Sequence, residues 1–264
     1  MNRSDDLRGR VALVTGASSG LGYASAQALA GRGARLVINS RGGDKLEAAA
    51  ERLRAVGAEV DTVPGDLASL DAIERLVDAA VEAAGAIDVL VANGGGPPVK
   101  PASELEEAEW DTAIQGTLLF VPRLVRQVLP GMRRRGWGRI VAINSVSTRQ
   151  PIPGLALSNV LRPAVVGYLK TLSQEVAADG VTANAVLPGY TRTERQIELA
   201  RGRAKLTGED PDKILAAPRK EIPLGRLAEP PEIGAVVAFL CSEEASYVTG
   251  QAVTVDGCYV KSLM

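Results

Sequence analysis

The stretch TGASSGLG, residues 15–22, places three glycines and two serine hydroxyls directly after a short apolar run. Glycines at these spacings let the backbone turn tightly and approach a phosphate, while a following helix offers free amides and the positive end of its dipole. A glycine-rich turn by itself is often an ordinary turn, but a strand before it and a helix after it favour a dinucleotide site. The residues predicted to bind such a cofactor are Gly16, Ser18, Ser19, Gly20, Leu21 and Gly22.

The second apolar run ends in NSR, residues 39–41, which bears on the kind of dinucleotide. Sites for NAD usually place an acidic side chain near this point, where it binds the hydroxyls of the adenine ribose. Ser40 and the cation Arg41 stand here instead, and they suit a 2′-phosphate. The sequence therefore favours NADP over NAD; the alternative is that Arg41 is only a solvated loop residue.

Proton transfer is restricted by composition, because the chain contains no histidine. Ser-His triads are thereby excluded, and since Cys241 and Cys258 also lack zinc spacing, we expect no metal site. Carboxylates, hydroxyls, lysine, water or the substrate itself must carry any proton. Ser158 and Arg162, four residues apart in SNVLR, would share one helix face about 6 Å apart along the axis.

The composition suits one large domain, because the 264 residues are 46% hydrophobic and can bury a substantial core. There are 30 basic and 31 acidic residues, so nothing indicates nucleic acid or an anionic membrane as a partner. Two cysteines do not make a disulfide framework, and MNRSDDLRGR at the N-terminus has no apolar segment typical of a signal peptide. We expect a cytoplasmic protein without a membrane span.

Short apolar runs alternate with helical patterns, which predicts β-α-β units and a parallel sheet with helices on both faces. The predicted strands are 11–15, 35–39, 59–66, 88–93, 139–144, 182–188 and 251–257, and the predicted helices are 21–32, 43–56, 69–84, 107–135, 158–178 and 230–241. The fold class is therefore α/β, a Rossmann-type doubly wound parallel sheet, in a single domain over residues 1–264. The charged segment 194–226 is interpreted as a mobile insertion over the carboxyl ends of the strands, where such sheets bind ligands.

Taken in order, the motifs resemble those of the short-chain dehydrogenase/reductase family, and most of all its 3-oxoacyl-[acyl-carrier-protein] reductase-like members. The matching residues are TGASSGLG, Asp66-Leu67 after the third strand, ANGGG after the fourth, Ser145, PGYTRT and VDG. In the family the Asp66 position contacts the adenine, the Asn93 position stabilises the central strand beside the cofactor, and the Thr193 position bonds the nicotinamide carboxamide. The resemblance implies further cofactor contacts at Leu67, Gly94, Pro188 and Gly189.

Four positions carry the family's chemistry, and three of them differ here. Ser145 matches the serine that polarises the substrate carbonyl. Ser158 stands where the family has the tyrosine that exchanges the proton, and Arg162 where it has the lysine that lowers the tyrosine's pKa. Thr117 stands where an asparagine supports a proton-relay water. A serine hydroxyl is a far weaker acid than a tyrosine, and arginine is too weak an acid for proton exchange.

Two nearby residues affect how this altered site can work. Tyr190, after the Pro188-Gly189 turn, is the best placed replacement for the missing tyrosine; the alternative is a packing residue beside the cofactor. Pro163 lacks an amide hydrogen and disfavours the α conformation at Arg162. We expect a kinked but continuous helix there; the alternative is a helix that begins at Pro163.

Three functions agree with these features. The first is an NADP-dependent oxidoreductase that acts on a small carbonyl or acyl-thioester substrate, with an altered proton path. The second is an enzyme that uses the same pocket for a non-redox reaction. The third is a nucleotide-binding scaffold or sensor without turnover. The long helices 107–135 and 158–178 carry surplus apolar surface and, in the family, build a dimer interface, so we expect a homo-oligomer, either a dimer or a tetramer.

Overall fold

Seven of the short apolar runs form the strands of one parallel sheet in the computed structural model, which describes residues 6–263. Buried, continuously apolar strands are typical of parallel sheets covered on both faces. The strands are β1 (Val11–Val14), β2 (Arg35–Ser40), β3 (Val60–Pro64), β4 (Val89–Ala92), β5 (Gly138–Ile143), β6 (Val181–Pro188) and β7 (Ala252–Val255). The seven predicted strands are confirmed, with ends shifted by a few residues.

The strand order is β3-β2-β1-β4-β5-β6-β7, and every neighbouring pair is parallel. The order reverses direction between β1 and β4, which pair directly through Val14 and Val91. At such a reversal the following loops diverge to opposite sides and leave a crevice outside the carboxyl ends of the strands. This confirms the predicted α/β, doubly wound fold in one domain and places the crevice at the glycine-rich turn.

Helices cover both faces of the sheet, because successive residues of each strand point to opposite sides. In β1, Leu13 belongs to one buried cluster and Ala12 to the other. The helices are α1 (Gly20–Ala30), α2 (Gly43–Arg54), α3 (Leu70–Ala84), α4 (Glu107–Ala113), α5 (Phe120–Arg135), α6 (Ala156–Val176), α7 (Glu194–Thr207), α8 (Pro211–Ala216) and α9 (Pro230–Cys241). Side chains from α3, α5 and α6 join the cluster of Leu13, and those from α1, α2 and α9 join the cluster of Ala12.

Two segments differ from the sequence prediction. The predicted helix 107–135 is interrupted, because a π-helical turn over Ile114–Leu119 separates α4 from α5. The charged segment 194–226, interpreted as a mobile insertion, contains α7 and α8, which were not among the predicted helices. Its low apolar content hid these helices, because α7 buries little besides Ala200. The mobility of segment 194–226 stays a prediction.

Helix α6 runs without a break from Ala156 to Val176 with Pro163 inside it. The expectation of a continuous helix is therefore confirmed. Ser158 and Arg162 both lie in the first two turns of this helix, so the four-residue spacing places them on one face.

No helix within residues 6–263 is long and apolar enough to cross a membrane.

Helix α9 packs so closely on α1 that the contact requires a glycine. A Cβ on Gly234 would lie 2.5 Å from the carbonyl oxygen of Ala24 in α1, whereas a Cβ on Gly43, in the first turn of α2, would meet nothing within 4 Å. We expect Gly234→Ala to cost about 1–3 kcal/mol of unfolding free energy, because backbone must move to admit the methyl group. Gly43→Ala is the matched control, and thermal denaturation of both variants measures the difference. Equal melting temperatures would contradict the close contact.

Candidate functional site

The glycine-rich turn is held against the end of β4 by a compact set of hydrogen bonds. Thr15 Oγ1 donates to the carbonyl of Asn93 at 2.8 Å and accepts from its amide at 2.9 Å. The Asn93 side-chain amide donates to the carbonyl of Gly16 at 3.1 Å. The amide of Ala17 donates to the carbonyl of Asn39, which ties the same turn to the end of β2. The turn is thus fixed to both neighbouring strands before any cofactor binds.

The shape of this turn fits the pyrophosphate of a dinucleotide. Gly16 and Gly20 have positive φ angles of 59° and 57°, and a Cβ on Gly22 would lie 2.2 Å from the carbonyl oxygen of Gly16. Ser19 precedes α1 and makes no side-chain capping bond, so the first amides of the helix keep their donors for an anion. Ser18 lies in the same turn, and Leu21 is the second residue of α1.

Thr193 lies opposite the glycine-rich turn and closes the crevice. Its Cγ2 would be 3.7 Å from a Cβ on Gly20, and its Oγ1 donates to the carbonyl of Thr191. Pro188 and Gly189 end β6, and a Cβ on Gly189 would lie 2.7 Å from the Cβ of Asp256. The structure therefore brings the first helix and the segment after β6 to the two sides of one cleft.

The far end of the cleft carries the residues expected at the adenosine. Arg41 is exposed and, within residues 6–263, has neither a hydrogen bond nor an ion pair, while Ser40 Oγ donates to the carbonyl of Gly42. The carboxylate of Asp66 accepts from the amide of Leu67 at 2.7 Å. Buried Asn39 donates to the carbonyls of Val63 and Gly65, so it joins the ends of β2 and β3 beneath this site. An unpaired guanidinium in this loop can bind a phosphate without breaking an existing contact.

A chain of hydrogen bonds connects α6 to the end of β5. Arg162 Nε donates to Ser158 Oγ at 3.2 Å, and Ser158 Oγ lies 3.3 Å from Ser147 Oγ. The amide of Ser147 donates to Ser145 Oγ at 3.1 Å. Ser145, Ser158 and Arg162 therefore converge at the carboxyl edge of the sheet, although Ser145 and Ser158 are joined only through Ser147.

The guanidinium of Arg162 is surrounded by neutral groups. Its Nη1 lies within hydrogen-bonding distance of the carbonyl of Ile143 and of Asn144 Oδ1, and Asn144 Nδ2 donates to the carbonyl of Arg162 at 2.9 Å. Among the described residues no carboxylate pairs with it. Burial lowers the pKa of Arg162 to about 10, and the nearby charge of Arg195 acts in the same direction. Arg162 therefore stays a cation at neutral pH, but an unfavourably placed one.

Thr117 and Tyr190 have different surroundings. Thr117 is buried in the π-helical turn, which packs on α6, and it makes no hydrogen bond with Ser145, Ser158 or Arg162. Tyr190 packs edge-on against Tyr259, with ring centroids 5.1 Å apart. A hydrogen bond also joins these two side chains. Whether Tyr190 is a packing residue or the replacement for the missing tyrosine stays a prediction.

A cavity lies between the end of β5 and the helices α7 and α8. Ser145 and Tyr190 line one side, and Gln196 and Arg203 of α7 line the other. The remaining lining is mainly apolar and comes from Val146, Ile152, Leu155, Pro188, Leu199, Ile214, Leu215 and Pro218. A small organic molecule here would meet Ser145 at one end and a guanidinium at another.

Several residues of the site were missed by the sequence reasoning. Ser147 and Asn144 lie within two residues of Ser145, and their side chains bond to Ser158 and to the carbonyl of Arg162, respectively. In the sequence only their proximity to Ser145 could have indicated them. Arg195 donates to the carbonyl of Pro97, and its Nη2 would be 2.9 Å from a Cβ on Gly96. The triple glycine of 94–96 was a usable signal, because it implies that another group approaches the backbone closely.

Known proteins are similar to this chain over most of its length. Residues 16–259 match the family model described as enoyl-(acyl carrier protein) reductase. A putative ketoacyl reductase of Streptomyces coelicolor is 38% identical over 253 residues, which cover 94% of this chain and 95% of that protein.

Solved structures are similar over nearly the whole chain. The L-sorbose reductase of Gluconobacter frateurii, complexed with NADPH and L-sorbose, has a TM-score of 0.91 at 34% identity and covers 97% of this chain and 98% of its own. A variant of the actinorhodin polyketide ketoreductase with NADPH has a TM-score of 0.92 at 35% identity, over 96% of this chain and 98% of its own. The chain therefore belongs to the short-chain dehydrogenase/reductase family of NAD(P)-dependent oxidoreductases.

Proposed function

We propose that this protein is an NADP-dependent oxidoreductase that interconverts a carbonyl and an alcohol on a small molecule, by a proton path that lacks the family's tyrosine. The observation that carries the proposal is the hydrogen-bond chain from Arg162 through Ser158 to Ser147, which reaches Ser145 beside the cavity. From the positions of Ser158 and Arg162 in the sequence, we propose that this chain stands where the family keeps its proton donor.

The cofactor contacts follow from the cleft. The turn of Gly16, Gly20 and Gly22 with the first amides of α1 would hold the pyrophosphate, and Asn93 would keep that turn in place. Thr193, with Pro188-Gly189, would hold the nicotinamide end. Ser18, Ser19, Leu21, Asp66, Leu67 and Gly94 complete the proposed set. A bound nicotinamide supplies the hydride, and the protein supplies orientation and electrostatics.

The residues proposed to surround the reacting oxygen would stabilise negative charge on it, but none of them is a strong enough acid to replace the tyrosine. Ser145 Oγ and the cation Arg162 would stabilise the negative charge that develops on the carbonyl oxygen. Ser158 accepts a hydrogen bond from Arg162 and so has its own proton left to donate. Since a serine hydroxyl is a weak acid, we propose that water delivers the proton, with Ser158 Oγ as its hydrogen-bonding partner. Buried Thr117 would border that water, in a π-helical turn packed on α6.

The direct test follows the absorbance of NADPH mixed with purified protein and a panel of ketones and 3-oxoacyl thioesters. Consumption of NADPH supports the oxidoreductase. Tight NADPH binding without consumption for any compound would instead favour the scaffold or a non-redox enzyme, since both can keep the cofactor site.

A homo-oligomer is part of the proposal. The outer surfaces of α5 and α6 leave a groove lined by apolar side chains such as Leu129 and Leu172, together with Tyr168 and several arginines. In the family these helices form a dimer interface, and we propose the same contact here. We also propose that α7 and α8 move to admit substrate, because they cover the cavity.

The cofactor preference can be tested at Arg41. We expect NADP(H) to bind more tightly than NAD(H), because the unpaired guanidinium can meet the 2′-phosphate. Arg41→Ala should remove most of the preference, about tenfold or more in dissociation constant, as measured by fluorescence titration. Arg75→Ala, an exposed cation of α3, is the control and should change nothing. Equal affinity of the unaltered protein for both cofactors would contradict the proposed preference for NADP(H).

The altered proton path can be tested by restoring the family's pair. Ser158→Tyr with Arg162→Lys should raise reduction of simple ketones, because general acid catalysis typically contributes about 10²- to 10⁴-fold. Both changes are needed together, since the guanidinium of Arg162 bonds to Ser158 and competes with a ring for space. The control is Ser158→Phe with Arg162→Lys, which adds the ring without its hydroxyl. A double variant slower than the unaltered protein would indicate a proton donor other than Ser158.

A further inference from the structure

The charged groups around the cavity are of one sign. Arg203 of α7 lines the cavity, and neither aspartate nor glutamate is among the lining residues. Glu221 influences Tyr259 at the edge of this region, but its side chain does not line the cavity. A substrate in the cavity would therefore meet a positive potential within mainly apolar walls.

Arg203 keeps most of its hydrogen-bonding capacity for a ligand. Its Nη2 donates to the carbonyl of Pro153 at 3.3 Å, and within residues 6–263 it has no carboxylate partner. A guanidinium has five N–H donors, so an anion can be bound without breaking the existing contact. Gln196 lies seven residues earlier on α7 and lines the same cavity, which adds an amide donor to that helix face.

Arg162 and Arg195 lie outside this cavity, because neither is among its lining residues. Arg195 donates to the carbonyl of Pro97 and is paired with Glu198 at 3.4 Å. The anion site is therefore formed by the α7 side chains Arg203 and Gln196.

We infer that the substrate is an oxo acid, or the corresponding hydroxy acid, whose carboxylate is bound by Arg203 while its carbonyl lies at Ser145. This inference rests on the proposed oxidoreductase function and narrows its substrate class. In reduction, the ketone carbon gains a hydride from the reduced nicotinamide and the oxygen gains one proton from water. The products are the hydroxy acid and the oxidised cofactor.

The first experiment compares oxo acids with their neutral amides. Pyruvate, acetoacetate, levulinate and their longer-chain homologues would each be tested against the amide of the same acid, with kcat/KM measured from NADPH absorbance. The acid of the best pair should be preferred by at least about tenfold. Arg203→Ala should remove the preference, mainly through KM, and Arg203→Lys should keep part of it because the charge remains. Arg201→Ala, an exposed cation on the same helix, is the control.

The second experiment measures binding without turnover. Calorimetric titration of levulinate and levulinamide into the protein saturated with NADP⁺ gives affinities that do not depend on hydride transfer. Circular dichroism and NADP⁺ affinity show whether each variant is folded. Binding that prefers the acid, is lost in Arg203→Ala and is kept in Arg201→Ala supports the anion site. If such binding is found but no compound is reduced, the anion site stands and only the oxidoreductase proposal fails. Neutral ketones reduced as well as acids, with Arg203→Ala unaffected, would overturn the inference and leave the oxidoreductase intact.

Discussion

The pairing of β1 with β4 is the constraint on which the site depends. Strands β2 and β3 lie between them in the sequence, yet the carboxyl ends of β1 and β4 are adjacent because the strand order reverses at this point. Three hydrogen bonds then fix the glycine-rich turn to the end of β4. Thr15 Oγ1 both donates to and accepts from the backbone of Asn93, and the side-chain amide of Asn93 donates to the carbonyl of Gly16. The free amides of α1 consequently face the crevice, and the cofactor cleft is formed by the backbone before any ligand arrives.

A second constraint lies at β5 and α6, where Arg162 holds a positive charge without a carboxylate. The side-chain amide of Asn144 donates to the carbonyl of Arg162 and so holds the backbone of α6. The guanidinium of Arg162 in turn donates to two neutral acceptors, Ser158 Oγ and Asn144 Oδ1. A tyrosine–lysine pair would supply an acid, whereas Ser158 and Arg162 supply a hydroxyl bonded to a fixed cation. The electrostatics of the cleft therefore favour negative charge, which suits both a developing alkoxide and an anionic substrate.

The regular elements were predictable because local patterns encode them. Buried runs such as Val11–Val14 and residues 140–143 are apolar throughout, so neither face of these strands is suited to water. The positive φ angles of Gly16 and Gly20 explain the glycines of the turn. The π-helical turn at Ile114–Leu119 was not predictable in the same way, because the apolar periodicity continues through it. Helices α7 and α8 were missed because they contain many polar residues and bury only Ala200, so no apolar stripe marks them in the sequence.

The sequence by itself determined the fold class, the location of the phosphate turn, the absence of histidine chemistry and the presence of serine and arginine at positions 158 and 162. These follow from local residue types and their spacing. Only the tertiary structure decided that Arg162 bonds to Ser158, that Ser147 links Ser158 to Ser145, and that Arg195 and Arg203 face the site from a helix distant in the chain. Such relations depend on which elements the sheet brings together, and a one-dimensional pattern does not contain the distances between side chains far apart in sequence.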